Sequence, residues 1–418
     1  MDVLQKDSKK QINKLVISMV AGNLGSGILT FAIGLLILQE TNSAVNFGFS
    51  QLIGPLISFF LLPIKGSIVD KFQKKNVLFF SQVFSLVGLF MYAVTVSFHG
   101  IDNLVYTYLL LIVLEISDQF LSVTFTASIS TIVIKDHIQK VQSIKQVFSS
   151  LTMIIIPVTA VFLVSQVSLL TLVLIEMLLE IIAIIAISMI NFTLTNNIYL
   201  SEEKKSTSMI SLFKEGLIFV IQYKKLVFAL FFAMLVNFIF GAVNIGLPFL
   251  QVSVLNFSNL VYGLSEAIFA IGMIFTGIYL SLKDNIKFPL FTAIKMIGAI
   301  GVIFLLFGFS LIIGLSNHYL IVSVFLFNFI MGILVTRTNI PVTTWFIKEI
   351  PESYHGRVFN LLNTGGELLT PMGIFLFSFL FDHYSGYLIF IVSGILILLT
   401  VILYPLSVKI NLKNNSLE

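Results

Sequence analysis

Glu115 and Asp118 stand three residues apart in the apolar run from Leu104 to Ile132, which carries no other charge. On a helix that spacing puts both carboxylates on one face. Each charge at the centre of a membrane helix costs about 2.5 to 3.5 kcal/mol on insertion scales, so packing alone gives no reason to keep them. Two carboxylates this close do not both ionise easily, and the pair can take up and release a proton or meet a cation. Glu367 follows Gly365 and Gly366 and precedes Pro371, a flexible setting, and Glu266 lies in the outer third of another apolar run. Either is a candidate second proton or substrate site. Arg337, among Thr336, Thr338 and Asn339, is the only arginine inside an apolar run. Its long side chain can snorkel to the surface or bridge to Asp118, which helix counting puts roughly 6 Å away in depth. Glu176 and Glu180, four apart between Leu169 and Ile190, are weaker candidates, expected to be protonated and packed against a neighbouring span. His99, His137, His318, His355 and His383 fall outside the apolar runs with no metal-ligand spacing, so no metal site and no cofactor is expected.

These groups need a scaffold, and composition names its class. With 57% hydrophobic residues, 11% charged and 42 Phe, no soluble fold could hide the apolar surface. Runs of about 20 residues suit membrane-crossing helices, and nothing alternates as a membrane barrel does. The expected fold is an all-α integral membrane protein with twelve spans. They fall near 15–38, 44–64, 77–98, 104–132, 144–164, 169–190, 226–250, 259–282, 288–314, 319–346, 357–381 and 386–407. The first run is too long for a cleaved leader and is expected to stay as a span. Residues 191–225 have the charged composition of a linker, in which Ile210, Leu212, Phe213, Leu217, Ile218 and Ile221 recur at helical spacing, as in a helix lying on a membrane surface. The expected domains are 1–190, a linker 191–225, and 226–418.

Charge placement tests the count. The 24 Lys and Arg fall in the termini, the linker and one set of loops, except Lys295, which should snorkel, and Arg337. The opposite loops have none, so both termini are expected in the cytoplasm. Trp345, Tyr106, Tyr108, Tyr319, Tyr384, Tyr387 and Tyr404 fall near span ends, as in an aromatic belt. The pairs Asn23 and Asn237, Gly27 and Gly241, Asp70 and Asp284, and Pro157 and Pro371 are each 214 residues apart, as in two parallel six-span halves. No P-loop, no His-Glu-x-x-His and no cysteine is present, which excludes the usual hydrolytic and ATP-driven machinery from this chain.

Between the second and third spans, Gly66, Asp70, Lys71, Lys74 and Lys75 fill most of a pattern of glycine, acid and bases in which Gln73 stands at a usual glycine. This loop resembles the signature of the major facilitator superfamily, and Gly356-Arg357 at the start of span eleven is similar to that superfamily too. The stretch from Gly25 to Lys75 and the loop Lys135 to Gln146 look most like its macrolide-efflux-like branch of drug and metabolite exporters. Exporters of related branches often have a basic residue in span four, where Glu115 and Asp118 stand here, and a Gly-Pro-Gly-rich kink in span five, where only Pro157 remains. The resemblance implies a monomeric secondary transporter of the cytoplasmic membrane, exporting a small amphipathic molecule in exchange for protons by alternating access. Spans one, four, seven and ten would line its cavity, with Asn23, Ser26, Thr30, Asn237 and Asn244 as polar contacts. Gly66, Asp70, Lys71, Lys74, Lys75, Gly356 and Arg357 would form its switching loops. Uptake, movement of a lipid-linked substrate, and a non-transporting sensor are the alternatives. The partners are the substrate, protons and the bilayer; no nucleic acid is expected.

Overall fold

The computed structural model describes residues 2–99, 103–133, 135–192, 209–283, 286–351, 354–408 and 411–412. Among these residues the regular structure is helical throughout. In chain order the helices are α1 (Asp2–Thr41), α2 (Ala44–Lys71), α3 (Lys74–His99), α4 (Leu104–Ile132), α5 (Lys135–Gln166), α6 (Leu169–Ser188) and α7 (Met209–Gln222). There follow α8 (Lys224–Phe249), extended by a π turn Leu250–Val254, then α9 (Asn259–Ser281), α10 (Pro289–Ile312), α11 (Asn317–Glu349), α12 (His355–Gly366), α13 (Thr370–His383) and α14 (Gly386–Val408). Eleven stretches of the described residues are long and apolar enough to cross a membrane. The remaining expected span, 144–164, falls on α5, whose apolar part is the shorter stretch Leu151–Gln166.

Two departures from the expected elements have local causes. The charged stretch after the second span is mostly not a turn: α2 continues through Gly66 to Lys71, leaving only Phe72 and Gln73 before α3. The Phe72 amide still donates to Ile68 O at 3.0 Å, and Gln73 O accepts from Asn76 and Val77, so both helix ends close on themselves. Span eleven is two helices. Gly365, Gly366 and Pro371 flank a turn at Glu367–Leu369, where the Thr370 amide donates to Glu367 O at 2.9 Å.

The chain divides into two compact units, Met1–Thr41 with Phe49–Lys204, and Asn42–Gly48 with Lys205–Glu418. In the first, α1 packs on α5 and α6, and α3 on α4 and α6. Their shared interior holds two apolar clusters. One contains Leu29, Ile33, Ile37, Leu89, Leu114 and Val173, and the other Leu15, Leu78, Leu121, Ile132 and Ile187. On four of these five helices, α1, α3, α4 and α6, the sequence between the clusters carries polar residues: Ser18 and Ser26, Ser81, Gln82 and Ser85, Ser117 and Asp118, Glu176 and Glu180. A polar layer thus crosses the middle of the bundle.

Among its described residues the second unit has no such layer at the matching place. Its interior is aromatic, with Phe304, Phe307, Phe327 and Phe390 in mutual ring contact at 4.5–6.0 Å. Helices α9 and α11 cross at Gly272 and Gly332, each set against the other helix's backbone. Amphipathic α7 packs on α8 and α12, burying Phe219 and Val220 and leaving Ile218 and Ile221 exposed. Trp345, expected as an interfacial anchor, is 3% exposed and sits in an apolar cluster with Leu226, Leu290 and Val358. Its place one turn before Glu349 resembles an interfacial position in sequence, but α11 runs on past it to Glu349. Tyr106, Tyr319, Tyr384 and Tyr387 are exposed, whereas Tyr404 stacks on Phe228.

The segment Asn42–Gly48 joins the second unit through Asp382. Its Oδ1 accepts from the Ala44 amide at 2.5 Å, and its Oδ2 from Ser43 Oγ at 2.8 Å and the Val45 amide at 3.2 Å. This carboxylate caps the first turn of α2 from a distant part of the chain, a charge matched to the helix N-terminus. Asp382→Ala is expected to lower stability by about 0.5 to 2 kcal/mol, as loss of a helix cap does. Hydrogen exchange at the Ala44 and Val45 amides should rise, while the α9 amides stay as they are.

Candidate functional site

The expected pairing of Glu115 with Asp118 is replaced by two separate settings. Three residues of helix leave neighbouring side chains about 60° apart around the axis, enough to send them to different neighbours. Glu115 turns toward α2: its Oε1 accepts from Gln119 Nε2 at 2.8 Å, Gly54 lies against its carboxylate, and Gln119 accepts from Lys65 Nζ at 2.8 Å. Asp118 turns toward α1, where its Oδ2 accepts from Ser26 Oγ at 2.6 Å.

Around Asp118 the polar layer is densest. On α6, Glu176 and Glu180 are each 1% exposed, and Glu176 meets α1 at Gly25, next to the Ser26 that holds Asp118. Glu180 Oε1 accepts from Ser85 Oγ of α3 at 2.6 Å, while neither oxygen of Glu176 has a hydrogen-bond partner. Gln82 of α3 is fully buried with both amide atoms unsatisfied. Room for these groups comes from α1. A Cβ on Gly25 would fall 1.9 Å from Glu176 Oε2, and one on Gly22 would fall 3.6 Å from Gln82 Oε1. Sequence spacing sets Glu176 and Glu180 aside because they are on the sixth span. The signal that would have raised them is their i, i+4 repeat on the same face as Leu172, Val173 and Ala183, which makes that face the buried one.

A cavity of about 230 Å³ in the first unit begins one turn away. Asn23 of α1 and Ser122 of α4, near neighbours of Ser26 and Asp118 on their helices, are in its wall. Met19, Phe125, Phe148 and Ile156 give it apolar surface, and Lys145 reaches Thr126 Oγ1 at 2.8 Å on its rim. Such a lining, apolar with a few convergent polar groups, suits an amphipathic small molecule. A second cavity, about 270 Å³ in the other unit, is walled by Lys283, Lys287, Lys348 and Glu349 beside Trp345 and Pro341.

The other candidates lie elsewhere. Ser26 is buried and bonded to Asp118, and Thr30 is exposed. In the second unit Asn237 Nδ2 donates to Gly366 O at 3.0 Å, Asn244 is exposed, and half-buried Arg337 has an Nε without a hydrogen bond. Glu266 is half-buried beside Tyr262, and Glu367 is exposed in the break between α12 and α13. Of the loop residues, Lys74 Nζ donates to Ala127 O at 2.5 Å and Lys75 Nζ to Ser188 O at 2.9 Å, so both stitch α3 to neighbouring helix ends. Lys71 is exposed over the Phe72 ring, and Gly66 and Asp70 lie on α2, with their side-chain surroundings outside the described residues. Gly356 is the second residue of α12, and Arg357 pairs with Glu215 of α7. Among the described residues no group of acids and histidines is arranged to hold a metal ion.

Macrolide efflux protein A of Streptococcus pyogenes is 23% identical over 381 residues, covering 91% of this chain and 92% of its own. Among solved structures, the nucleoside transporter NupG superposes with a TM-score of 0.70 at 12% identity, covering 95% of this chain and 99% of that one. A bacterial homologue of the iron transporter ferroportin gives 0.67 at 13%, covering 96% and 98%. A D-xylose–proton symporter gives 0.64 at 14%, covering 93% and 96%. The sequence pattern of the Major Facilitator Superfamily matches residues 15–374, and the chain, a multi-pass membrane transporter and not an enzyme, belongs to that superfamily.

Proposed function

We propose that this transporter exports a macrolide-like amphipathic molecule across the cytoplasmic membrane in exchange for protons. The observation that carries the reading is the apolar cavity of the first unit, which opens within a helical turn of the Asp118–Ser26 bond. An apolar group of the ligand seated there and a proton-binding carboxylate can compete or cooperate at that range, which is the chemical requirement of exchange. The relative named as a macrolide efflux protein supports the substrate class and the direction. Asn23, Ser26 and Thr30 serve as polar contacts in this reading, with Asn237, Asn244 and Arg337 as their counterparts in the second unit. Asp118 and Glu115 are its proton carriers, with Glu266 and Glu367 as secondary ones. The bases of 71–75 and the pair Arg357–Glu215 hold the switching loops, and the lysine-rich loops put both termini in the cytoplasm. Residues 1–190 and 226–418 act as the two moving halves about the 191–225 connection, in a single chain.

Everted membrane vesicles holding a pH gradient test it. Addition of a macrolide should discharge the gradient in vesicles containing the protein and leave control vesicles unchanged. A gradient undisturbed by macrolides, with folded protein present, would overturn the proposal.

A further inference from the structure

Glu176 and Glu180 are the anomaly of the first unit. Carboxylates buried to 1% are ordinarily met by a cation or by several donors, because an unpaired buried charge is strongly destabilising. Here, among the described residues, Glu180 has the Ser85 hydroxyl alone, and Glu176 has no hydrogen-bond partner. The described lysines near them are engaged elsewhere: Lys14 with Met189 O, Lys65 with Gln119, Lys74 with Ala127 O, Lys75 with Ser188 O and Lys145 with Thr126. Among the described side chains, each packed element gives the same answer. Between Lys14 and Glu40, α1 has no charge; after Lys75, α3 has none before His99; α4 contributes Asp118 with Glu115 behind it; and Lys145 of α5 lies across the cavity. The unpartnered Gln82 amide lies against the same glycine face of α1 that receives Glu176, offering a donor and an acceptor to whatever sits there.

The second unit shows that the fold does not need acids at this place. At the 214-residue offset Ser26, Gln82, Ser85, Glu176 and Glu180 become Phe240, Met296, Ala299, Phe390 and Gly394. Phe240 and Phe390 both contact Phe304, filling the layer with rings.

We infer that Glu176, Glu180 and Asp118, with the Gln82 amide, form a proton-binding site enclosed in the first unit, in which the carboxyls share a proton. A proton bound to one carboxyl becomes a donor to its neighbour, which removes a charge and supplies the missing hydrogen bond in one step. Asp118, half-buried and bonded to Ser26, is the member nearest the cavity, so a ligand there would be felt by the site through α1 and α4. The use of that proton for exchange rests on the transport reading above; its presence does not.

Infrared spectroscopy of the wild-type protein in lipid vesicles, free of any substrate, reads the site directly. At neutral pH a protonated-carboxyl band is expected that moves when aspartate and glutamate carry carboxyl ¹³C. It should be lost in Glu176→Gln and Glu180→Gln, displaced in Gly25→Ala, and kept in Glu40→Gln. No such band in the labelled wild-type protein would overturn the inference without recourse to any variant. A band abolished by adding sodium chloride at constant pH would also overturn it, making the occupant a sodium ion. A band that Glu176→Gln and Glu180→Gln both leave intact would place the proton elsewhere and sink the site. A second arm adds a macrolide: release of the proton should be seen in wild type and not in Glu176→Gln. A persistent band with no macrolide response would count against the function proposed above while leaving the proton site standing.

Discussion

Vesicles carrying Asp118→Asn are expected to lose macrolide accumulation against a gradient while retaining movement down it. Asparagine keeps a carbonyl that can accept from Ser26 Oγ, so the bond joining α1 and α4 survives. What it cannot do is bind and release a proton. One proton moving down 100 mV supplies about 2.3 kcal/mol. With each 1.4 kcal/mol worth tenfold, the wild-type protein can sustain an accumulation of about 50-fold per proton, and the variant should fall to equality. Transport of labelled macrolide in both modes decides it. Wild-type accumulation in the variant would remove Asp118 from the coupling path, whereas loss of both modes would mark it as a binding or folding residue.

The largest stability effect is expected at the crossing of α9 and α11. A Cβ on Gly332 would lie 2.2 Å from Phe269 O, and one on Gly272 would lie 2.4 Å from Phe329 O. Both obstacles are backbone carbonyls held in helical hydrogen bonds, so neither can swing aside as a side chain would. Close backbone approach at small residues is a main source of helix association in lipid, where no hydrophobic force draws helices together. Gly332→Ala should therefore cost about 1 to 3 kcal/mol, the range of overpacked cores, and the double variant with Gly272→Ala more. Thermal unfolding followed by fluorescence-detected chromatography measures this. Gly314→Asn is the useful contrast: φ is +69° there with open space around it, and asparagine tolerates that backbone, so little change is expected.

The helices were legible because a span needs about 20 apolar residues and little else. The break in span eleven could be read from Gly365, Gly366 and Pro371, whose backbone preferences act locally. The limits were equally physical. Helical spacing places Glu115 and Asp118 on neighbouring rows, but which neighbour each meets depends on how α1 and α2 pack, and no local pattern states that. Glu176 and Glu180 were visible as charges, yet their importance follows from Glu176 lying against Gly25 and Gln82 against Gly22, an arrangement of three separate stretches of chain. Gly66 to Lys75 read as a loop because charge ends a hydrophobic run; α2 nevertheless continues to Lys71 because its backbone bonds do not depend on apolar side chains. Trp345 was read as an anchor from its type and position, whereas its surroundings come from α8, α10 and α12.

The Asp382 cap bears on how this polypeptide could be divided. Seven residues near its beginning, Asn42–Gly48, belong to the unit formed by the later part of the chain. Cutting the gene within 193–208 and producing two fragments would leave the first with an uncapped helix start and the second with an idle carboxylate. Each fragment would then hold half of a mutual recognition element, and reassembly could be followed by the recovery of protection at Ala44.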